Sequence, residues 1–415
     1  MVSLACFLIC VGIVCTCFKR DADILSPGRV FGFVWSLVLG LNSLKLSGIQ
    51  HEWSSQSWML LLLGIASFLV GTFIAYIQNL RLTLVPISVM RSEVRKQPID
   101  GNWLFNLIVI LFVVYLVSFL IIFLVKGTVP ILGLKKGFSR TEFSLLGLGL
   151  FLRHITIIIV LVLMYHIFVT KSVNHKRMLK FVLAVSVITY LLTLQRGPFF
   201  VVGPMCFTLL YYTTRRIKFR TAAIIFLSVF LLFYFVSSLR AGEFIHKALY
   251  LDWKMKIPSQ YAFITEPYSY IVMDLEYFSQ SVDRLESFTY GYYTFDFLLA
   301  LTGLKHWMAD YFNIISNPYA PIGWKDYTAL WPFYRDFGVI GLTAFPLLIG
   351  LVIGNYYYVM RSRPSLQKII VYSIMVYVMA ISFFYFPVPW LWFVYNAVVF
   401  YLVLKIVTKK QLQSS

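Results

Sequence analysis

Residues 103–125 have the sequence WLFNLIVILFVVYLVSFLIIFLV, a continuous apolar run without a charged side chain. Because an α-helix rises about 1.5 Å per residue, a run of this length crosses the roughly 30 Å hydrocarbon core of a bilayer. The run lacks the alternation of apolar and polar residues that a membrane β-barrel strand requires. It therefore predicts a transmembrane α-helix.

The same kind of run recurs along the chain. Of the 415 residues, 60% are hydrophobic and 13% are charged, and the mean hydropathy is +0.80, as is typical of an integral membrane protein. The predicted fold is an all-α membrane protein with about eleven transmembrane helices. The predicted spans are about 1–18, 29–47, 57–78, 103–125, 143–169, 178–194, 198–213, 220–238, 337–359, 369–386 and 390–406. The first lacks the basic region and cleavage site of a signal peptide, so it is expected to remain as a span.

Lysine and arginine in short connections predict which helix ends face the cytoplasm. Alternate connections hold 21 of the 36 basic residues. They are Lys19, Arg20, Arg29, Arg81, Arg91, Arg95, Lys96, Lys171, Lys176, Arg177, Lys180, Arg215, Arg216, Lys218, Arg220, Arg361, Arg363, Lys368, Lys405, Lys409 and Lys410. The N-terminus and the long connection before the last three spans are therefore predicted outside, and the C-terminus inside. The outer connection with Lys126, Lys135, Lys136 and Arg140 is the exception to the rule.

This topology divides the chain into three parts. Residues 1–238 form a membrane bundle of about eight helices, residues 239–336 a large outer loop, and residues 337–415 about three helices and a cytoplasmic tail. The net charge of +19 is explained by cytoplasmic connections that meet anionic lipid headgroups, so no nucleic-acid partner is expected. All five cysteines lie in predicted spans and no Cys/His spacing matches a zinc site, so no metal is expected.

Two outward-facing segments combine a helix end with an arginine. Residues 193–198, TLQRGP, place Arg196 between two spans, where Gly and Pro interrupt the helix. Residues 237–243, SSLRAGE, place Arg240 three positions before Glu243, directly after another span. An arginine there can hold a phosphate or a sugar acid through two parallel hydrogen bonds. The alternatives are snorkelling of Arg196 to a lipid headgroup and an interfacial ion pair between Arg240 and Glu243.

The outer connection that contains Arg140 leads into a span with Arg153 and His154. If that helix begins near Phe143, Arg153 lies about 15 Å deep, where an unpaired charge is unfavourable and must face a cavity or a partner. If it begins near Gly149, Arg153 lies at the interface. The sequence leaves both possibilities open.

The outer loop contains an amphipathic segment and a polar end. Apolar residues at near-helical spacing predict a helix that lies on the membrane surface. They are Ile271, Val272, Leu275, Phe278, Val282 and Leu285. The loop ends in residues 326–341, DYTALWPFYRDFGVIG, where Arg335 and Asp336 either serve the substrate or hold the loop's end to the next helix. Aromatic residues in the loop can stack on sugar rings, but most of them are expected to form an interfacial belt.

The span pattern and these motifs together resemble the bacterial oligosaccharide repeat-unit polymerases, which include the O-antigen and capsule polymerases. The resemblance covers nearly the whole chain. It rests on residues 193–197 (TLQRG), the loop run 270–291, Tyr327-Thr328 and residues 333–338 (FYRDFG).

The resemblance implies a metal-independent glycosyltransferase without a cofactor, at the outer face of the bacterial cytoplasmic (inner) membrane. A sugar hydroxyl of one polyprenyl-pyrophosphate-linked unit would attack the anomeric carbon of another and displace the lipid pyrophosphate. The protein would clamp the phosphates and deprotonate the hydroxyl. The partners implied are a flippase that delivers the lipid-linked units and a chain-length regulator in the same membrane.

Candidate residues for both tasks lie on the predicted outer side. Arg196 and Arg240 are assigned to the pyrophosphate. Further candidates for phosphate or acidic-sugar contacts are Arg140, Arg284 and Arg335. Candidate bases are Glu243, Asp336 and His306.

Two other functions remain open from the sequence. A flippase for lipid-linked oligosaccharide would also be polytopic and basic, but such transporters are commonly built from repeated halves with ionisable sites near the midplane. No internal repeat is evident, although Arg153 and His154 would suit a transporter. A ligase-like transferase would use the same donor with another acceptor. Related O-antigen ligases often have a His-Asn pair in the outer loop, whereas neither His246 nor His306 is followed by Asn.

Overall fold

The computed structural model describes residues 2–17, 22–133, 143–145, 147–169, 173–214, 231, 234–236, 238–239, 244–285, 287–311 and 328–409. Within these ranges the chain is built from helices and contains no β-strand, only an isolated antiparallel bridge between Ser47 and Met255. The candidate residues Arg140, Arg240 and Glu243 lie outside the described residues.

The α-helices are numbered here in chain order. They are α1 (Val2–Cys17), α2 (Pro27–Asn42), α3 (Ser55–Gln78), α4 (Ile87–Lys96), α5 (Gly101–Lys126), α6 (Leu148–Leu152), α7 (His154–Phe168), α8 (Val173–Leu192), α9 (Gly197–Thr213), α10 (Phe244–Asp252), α11 (Thr265–Arg284), α12 (Asp296–Thr302), α13 (Leu304–Tyr311), α14 (Trp331–Ser362), α15 (Leu366–Ile381) and α16 (Leu391–Lys409). Short 3₁₀ turns occur at Pro130–Leu132 and Ser259–Ile264.

The prediction of an all-α membrane protein is confirmed by these helices. The predicted span 220–238 lies largely outside the described residues, and each other predicted span coincides with helical segments. Among the described residues, 5 segments are long and apolar enough to cross a membrane. They are Ser55–Gln78, Gly101–Leu132, Leu148–Phe168, Trp331–Ser362 and Leu391–Thr408. The last of the outer-loop residues, 331–336, already belong to α14, which changes direction at Gly338 (φ 60°, ψ −143°).

The chain forms two compact units, each drawn from several parts of the sequence. Unit 1 comprises Met1–Val85, His246–Arg363 and Met375–Val394. Unit 2 comprises Pro86–Ile245, Pro364–Ile374 and Tyr395–Ser415.

The centre of unit 1 is the packing of α3 along α14. Ser54 caps α3 by accepting a hydrogen bond from the Ser57 amide at 3.1 Å. The two helices approach so closely that glycine is needed at the contact. A Cβ at Gly71 would overlap the Leu347 carbonyl oxygen, and a Cβ at Gly350 would overlap the Phe68 carbonyl oxygen.

Helix α11 confirms the predicted helix of the outer loop but corrects its setting. Its apolar face is covered by α2 and α3, and Val272, Leu275 and Phe278 are fully buried. The expectation that this helix lies on the membrane surface was therefore wrong. Spacing shows that one face is apolar, but it does not show whether protein or lipid covers that face.

An ion pair lies buried in unit 1, where α14 ends. Arg361 donates from Nη1 to the Asp23 carboxylate and from Nη2 to the Val85 carbonyl oxygen at 2.8 Å. The Tyr357 hydroxyl donates to the same carboxylate at 3.0 Å. The amide of Val85 in turn donates to the Arg361 carbonyl at 3.0 Å, so segments distant in sequence are joined here.

In unit 2, one set of helix ends is joined by α4. Met90 and Val94 are fully buried, while the Nε groups of Arg91 and Arg95 donate to carbonyl oxygens at the end of α9, at 2.8 and 2.7 Å. Such donors satisfy carbonyls that have no partner within the helix and complement its dipole. Asp100 then caps α5 through hydrogen bonds from the first two amides after Gly101.

Candidate functional site

The motif TLQRG forms a tight turn between α8 and α9 in unit 2. Thr193 donates its hydroxyl to the Tyr190 carbonyl at 2.6 Å, and Leu194 has a positive φ of 54°. The Tyr190 hydroxyl donates to Gln195 Oε1 at 2.9 Å, which holds the turn against α8. Arg196 then takes the N-cap position of α9 and is only 8% exposed. The turn therefore presents a buried arginine at the start of a helix.

Arg153 comes to the same place from another helix break. It lies between α6 and α7, at the N-cap of α7, and its Nη1 is 4.0 Å from the position that a Cβ would take at Gly197. Because the helical segment begins at Leu148, Arg153 lies near the N-terminal end of that segment and not ten residues inside it. Of the two possibilities left open by the sequence, the structure favours the later helix start.

The two arginines occupy a position that favours anions. Arg196 stands at the N-terminus of α9, where the helix dipole adds positive potential to that of the guanidinium, whereas Arg153 ends α6 and begins α7. Beside them, the ring of His154 is buried and its Nε2 lies 3.1 Å from the Tyr395 hydroxyl of α16. Helix starts that bear arginine are suited to phosphate groups, which accept from amides and guanidinium alike.

Asp336 is fully buried in unit 1 and accepts hydrogen bonds from the segment 287–294. Its donors are the hydroxyl of Thr289, the amide of Tyr293 at 3.1 Å and the amide of Thr294 at 2.6 Å. The segment turns sharply at Tyr290 and Gly291, which have φ values of 44° and 104°. These contacts favour the interpretation in which Asp336 holds the loop to α14.

Arg335 takes part in the same attachment. Its guanidinium donates to the Ser287 carbonyl, and its own carbonyl accepts from the Thr289 amide at 3.1 Å. Burial raises the pKa of Tyr293, while the neighbouring Arg335 acts in the opposite direction. The remaining described candidates lie apart in unit 1, since Arg284 is exposed at the end of α11 and His306 is exposed on α13.

Replacing Asp336 by asparagine is expected to destabilise this attachment by about 1–3 kcal/mol, because an amide cannot serve all of these donors as a charged acceptor does. Limited proteolysis of the 287–294 segment and the thermal midpoint should both show the loss. Glu52→Gln, at an exposed carboxylate between α2 and α3, is the matched control. If proteolysis and the thermal midpoint stayed normal in Asp336→Asn, Asp336 would not hold the loop to α14.

A buried polar network in unit 1 was not part of the predicted site. Glu276 of α11 is buried, and its Oε1 accepts from Lys45 Nζ at 2.8 Å and from Gln50 Nε2 at 3.3 Å. The Lys45 ammonium also lies 5.4 Å from the centroid of the Trp53 ring. The sequence did contain a signal for this network, since Glu276 lies four positions after Val272 and therefore on the apolar face of α11. A carboxylate on a buried face requires a cation to pair with it.

Tyr268 joins this network and gives it a pH dependence. Its hydroxyl donates to Gln50 Oε1 at 2.8 Å, and burial, reinforced by the charge of Glu276, raises its pKa from 10.0 to about 12. The unfolded chain loses this proton first, so the stabilisation is complete below pH 10 and is lost as the pH rises towards 12. We expect the thermal midpoint to fall over this window and to fall less in Tyr268→Phe. Equal slopes in the two proteins would contradict the assignment.

Compared with protein-family models, with curated proteins and with solved structures, the chain gives no match. An assignment of function therefore rests on the residues of this chain and on the geometry of its helix ends.

Proposed function

We propose that this protein polymerises polyprenyl-pyrophosphate-linked oligosaccharide repeat units into a surface polysaccharide of the O-antigen or capsule type. The reaction would take place at the outer face of the bacterial inner membrane. The observation that supports the proposal most is the approach of the Arg153 guanidinium to Gly197, the residue that follows Arg196 at the start of α9 in unit 2. A pyrophosphate is the ligand that such a pair fits, because its oxygens accept bidentate hydrogen bonds.

The topology in this proposal has about eleven spans, the N-terminus outside and the C-terminus inside. Contacts within unit 2 support it. Arg91 and Arg95 donate to carbonyl oxygens at the C-terminal end of α9. The Asp100 amide donates to the Val407 carbonyl near the C-terminal end of α16 at 3.4 Å. These contacts bring the basic connections to the same ends of the helices. Arg153 and Arg196 lie at the other ends of α7 and α9. With the basic end in the cytoplasm, the two arginines face the outer side.

The reaction requires charge stabilisation and one proton transfer. The acceptor's hydroxyl oxygen forms a bond to the donor's anomeric carbon, and the bond from that carbon to the pyrophosphate oxygen breaks. The leaving pyrophosphate keeps the electron pair and remains on its lipid, where guanidinium groups stabilise the growing negative charge. The hydroxyl proton passes to a base. No oxidation state changes, and no step needs a metal.

The candidate bases are Asp336, His306 and Glu243. Asp336 is occupied by donors of its own loop, which leaves His306, exposed on α13, and Glu243 as the other candidates. Glu243 and Arg240 belong to the same short segment outside the described residues, and their roles stay predictions.

Deletion of the gene tests the class of function. We expect the long surface glycan to disappear on a sizing gel while single repeat units still reach the surface. Mass spectrometry of the polyprenyl-linked pool from the same cells separates the alternatives. Complete units trapped on the inner leaflet would indicate a flippase, and long polymer left on its lipid carrier would indicate a ligase. Either result would overturn the polymerase proposal.

The arginine pair has its own test. We expect Arg196→Ala and Arg153→Ala each to slow polymer formation on the order of 100-fold, as loss of a preorganised charge-stabilising donor does. Arg196→Lys keeps the charge but loses the planar fork, so its activity should be intermediate. The control is Arg177→Ala, which removes an exposed arginine at the start of α8. Normal polymer in both alanine variants, at normal protein levels, would remove these arginines from the site.

A further inference from the structure

A short helical pair in the outer-loop part of unit 1 exposes large apolar side chains. Helices α12 and α13 are joined at Gly303, which adopts a left-handed conformation with φ 75°. Leu301 is 65% exposed, and Leu298 and Leu304 are each about half exposed. Trp307 is also 65% exposed. An apolar surface of this kind on a soluble loop would be unfavourable.

Two opposite charges of this pair are directed towards each other. Lys305 of α13 forms an ion pair with Asp296, the first residue of α12. The contact bridges the two helices and neutralises both groups where they meet. The side chains left outward on the turn between the helices are mainly leucines. Such a distribution is typical of a segment that dips into the interfacial region of a bilayer.

The start of α12 lies beside an uncharged part of α14. The ring of Phe295, which precedes α12, is 6.4 Å from that of Phe337 and 6.3 Å from that of Phe345. No charged residue occurs from Phe337 to Met360. Phe345 is seven residues beyond the break at Gly338, which corresponds to about 10 Å of uninterrupted helix. The helical pair is therefore attached at a level where α14 is already within the apolar layer.

The neighbouring surface of α14 faces lipid. Ile340 is 78% exposed, and Val339, Leu348 and Val352 are each at least half exposed, in a helix long and apolar enough to cross a membrane. Exposed aliphatic residues on such a helix are covered by acyl chains. The exposed surface of α12 and α13 continues this lipid-covered surface through Phe295 and Phe337.

We infer that residues 295–307 insert into the leaflet at the N-terminal end of α14, with Leu298, Leu301 and Leu304 among the acyl chains. The partner is membrane phospholipid, not another protein. The inference rests on exposure, ion pairing and ring contacts within unit 1. It does not depend on the polymerase proposal or on which side of the membrane this end faces.

A photo-crosslinking residue at position 301 tests this inference in the full-length protein. Benzoylphenylalanine would replace Leu301, with Ile340 as the lipid-facing reference and exposed Glu52, between α2 and α3, as the aqueous reference. Each protein is reconstituted at one copy per nanodisc of phosphatidylethanolamine and phosphatidylglycerol. After illumination, its mass is measured by intact-protein mass spectrometry. We expect a phospholipid adduct at 301 in a yield within about twofold of that at 340 and roughly tenfold above that at 52.

The alternatives give different products, which are distinguished by intact mass together with mass spectrometry of the digested protein, because a crosslink within the chain leaves the intact mass unchanged. A yield at 301 as low as at position 52 would mean that the surface faces water, and crosslinking of 301 to another segment of the chain would mean that protein covers it. Covalent dimers in detergent, without lipid adducts in nanodiscs, would mean that a second copy is the partner. Each of these results overturns the inference. The same label at Trp307 provides a second position in case the protein labelled at 301 does not fold.

Discussion

Replacement of Gly350 by leucine is expected to prevent assembly of unit 1. A Cβ at this position would overlap the Phe68 carbonyl oxygen and lie 3.2 Å from the Thr72 amide nitrogen, so the obstacle is the backbone of α3. A side chain can turn aside, but a helix backbone can yield only if the whole helix moves. Overpacking in an ordinary core costs about 1–3 kcal/mol, and separating α3 from α14 would remove most of their packing in addition.

Purified protein in mild detergent gives the readout. Gly350→Leu should elute as aggregate or fail to accumulate, and Gly71→Leu should behave in the same way, because its Cβ would meet the Leu347 carbonyl. The matched control is Gly203→Leu on α9, where no atom lies within 4 Å of the added Cβ. If Gly350→Leu matched this control in size-exclusion profile and thermal midpoint, close packing of α3 on α14 would be refuted.

Removal of the Arg361 side chain is expected to have the second-largest effect. Arg361→Ala leaves the Asp23 carboxylate buried without the guanidinium that neutralises it, although the Tyr357 hydroxyl still donates to it. The variant also loses the hydrogen bond to Val85, which joins α14 to the segment before α4. Removing one partner of a buried ion pair typically costs about 3–5 kcal/mol, because the remaining charge cannot reach water.

A double variant distinguishes the destabilisation caused by an unpaired buried charge from that caused by lost packing. Asp23→Ala combined with Arg361→Ala should be more stable than Arg361→Ala alone, because no isolated charge is left behind. Arg363→Ala, two positions later at an exposed site, should leave the thermal midpoint nearly unchanged. If Arg361→Ala and Arg363→Ala had equal thermal midpoints, the ion pair between Arg361 and Asp23 would not contribute to stability.

Much of the architecture follows from local sequence. The length of uninterrupted apolar runs such as 103–125 is enough to predict α5, since backbone groups in a bilayer must be satisfied within one helix. The helix break at TLQRG was predictable for a similarly local reason, because a Gly-Pro pair favours a helix boundary and proline fits the first turn of the helix that follows. The eleven-span count and the orientation are also sequence-level inferences, and they stay predictions.

The candidate site depended on the fold. Arg153 and Arg196 are separated by more than forty positions, and neither spacing nor composition indicates that two helix breaks meet. The same holds for Asp336, whose donors Thr289, Tyr293 and Thr294 precede it by a whole segment of the loop. The sequence identified these residue types as candidates, but only the structure shows which of them are neighbours.

The sequence by itself determined where the helices are, because hydrophobic length and helix-breaking residues act within a few turns of the chain. The tertiary structure alone decided which apolar faces are covered by protein. Helix α11 has the clearer amphipathic pattern and is buried against α2 and α3, whereas the shorter α12 and α13 expose their leucines. Periodicity shows only that a face is apolar. Burial depends on the surfaces that distant segments bring to it.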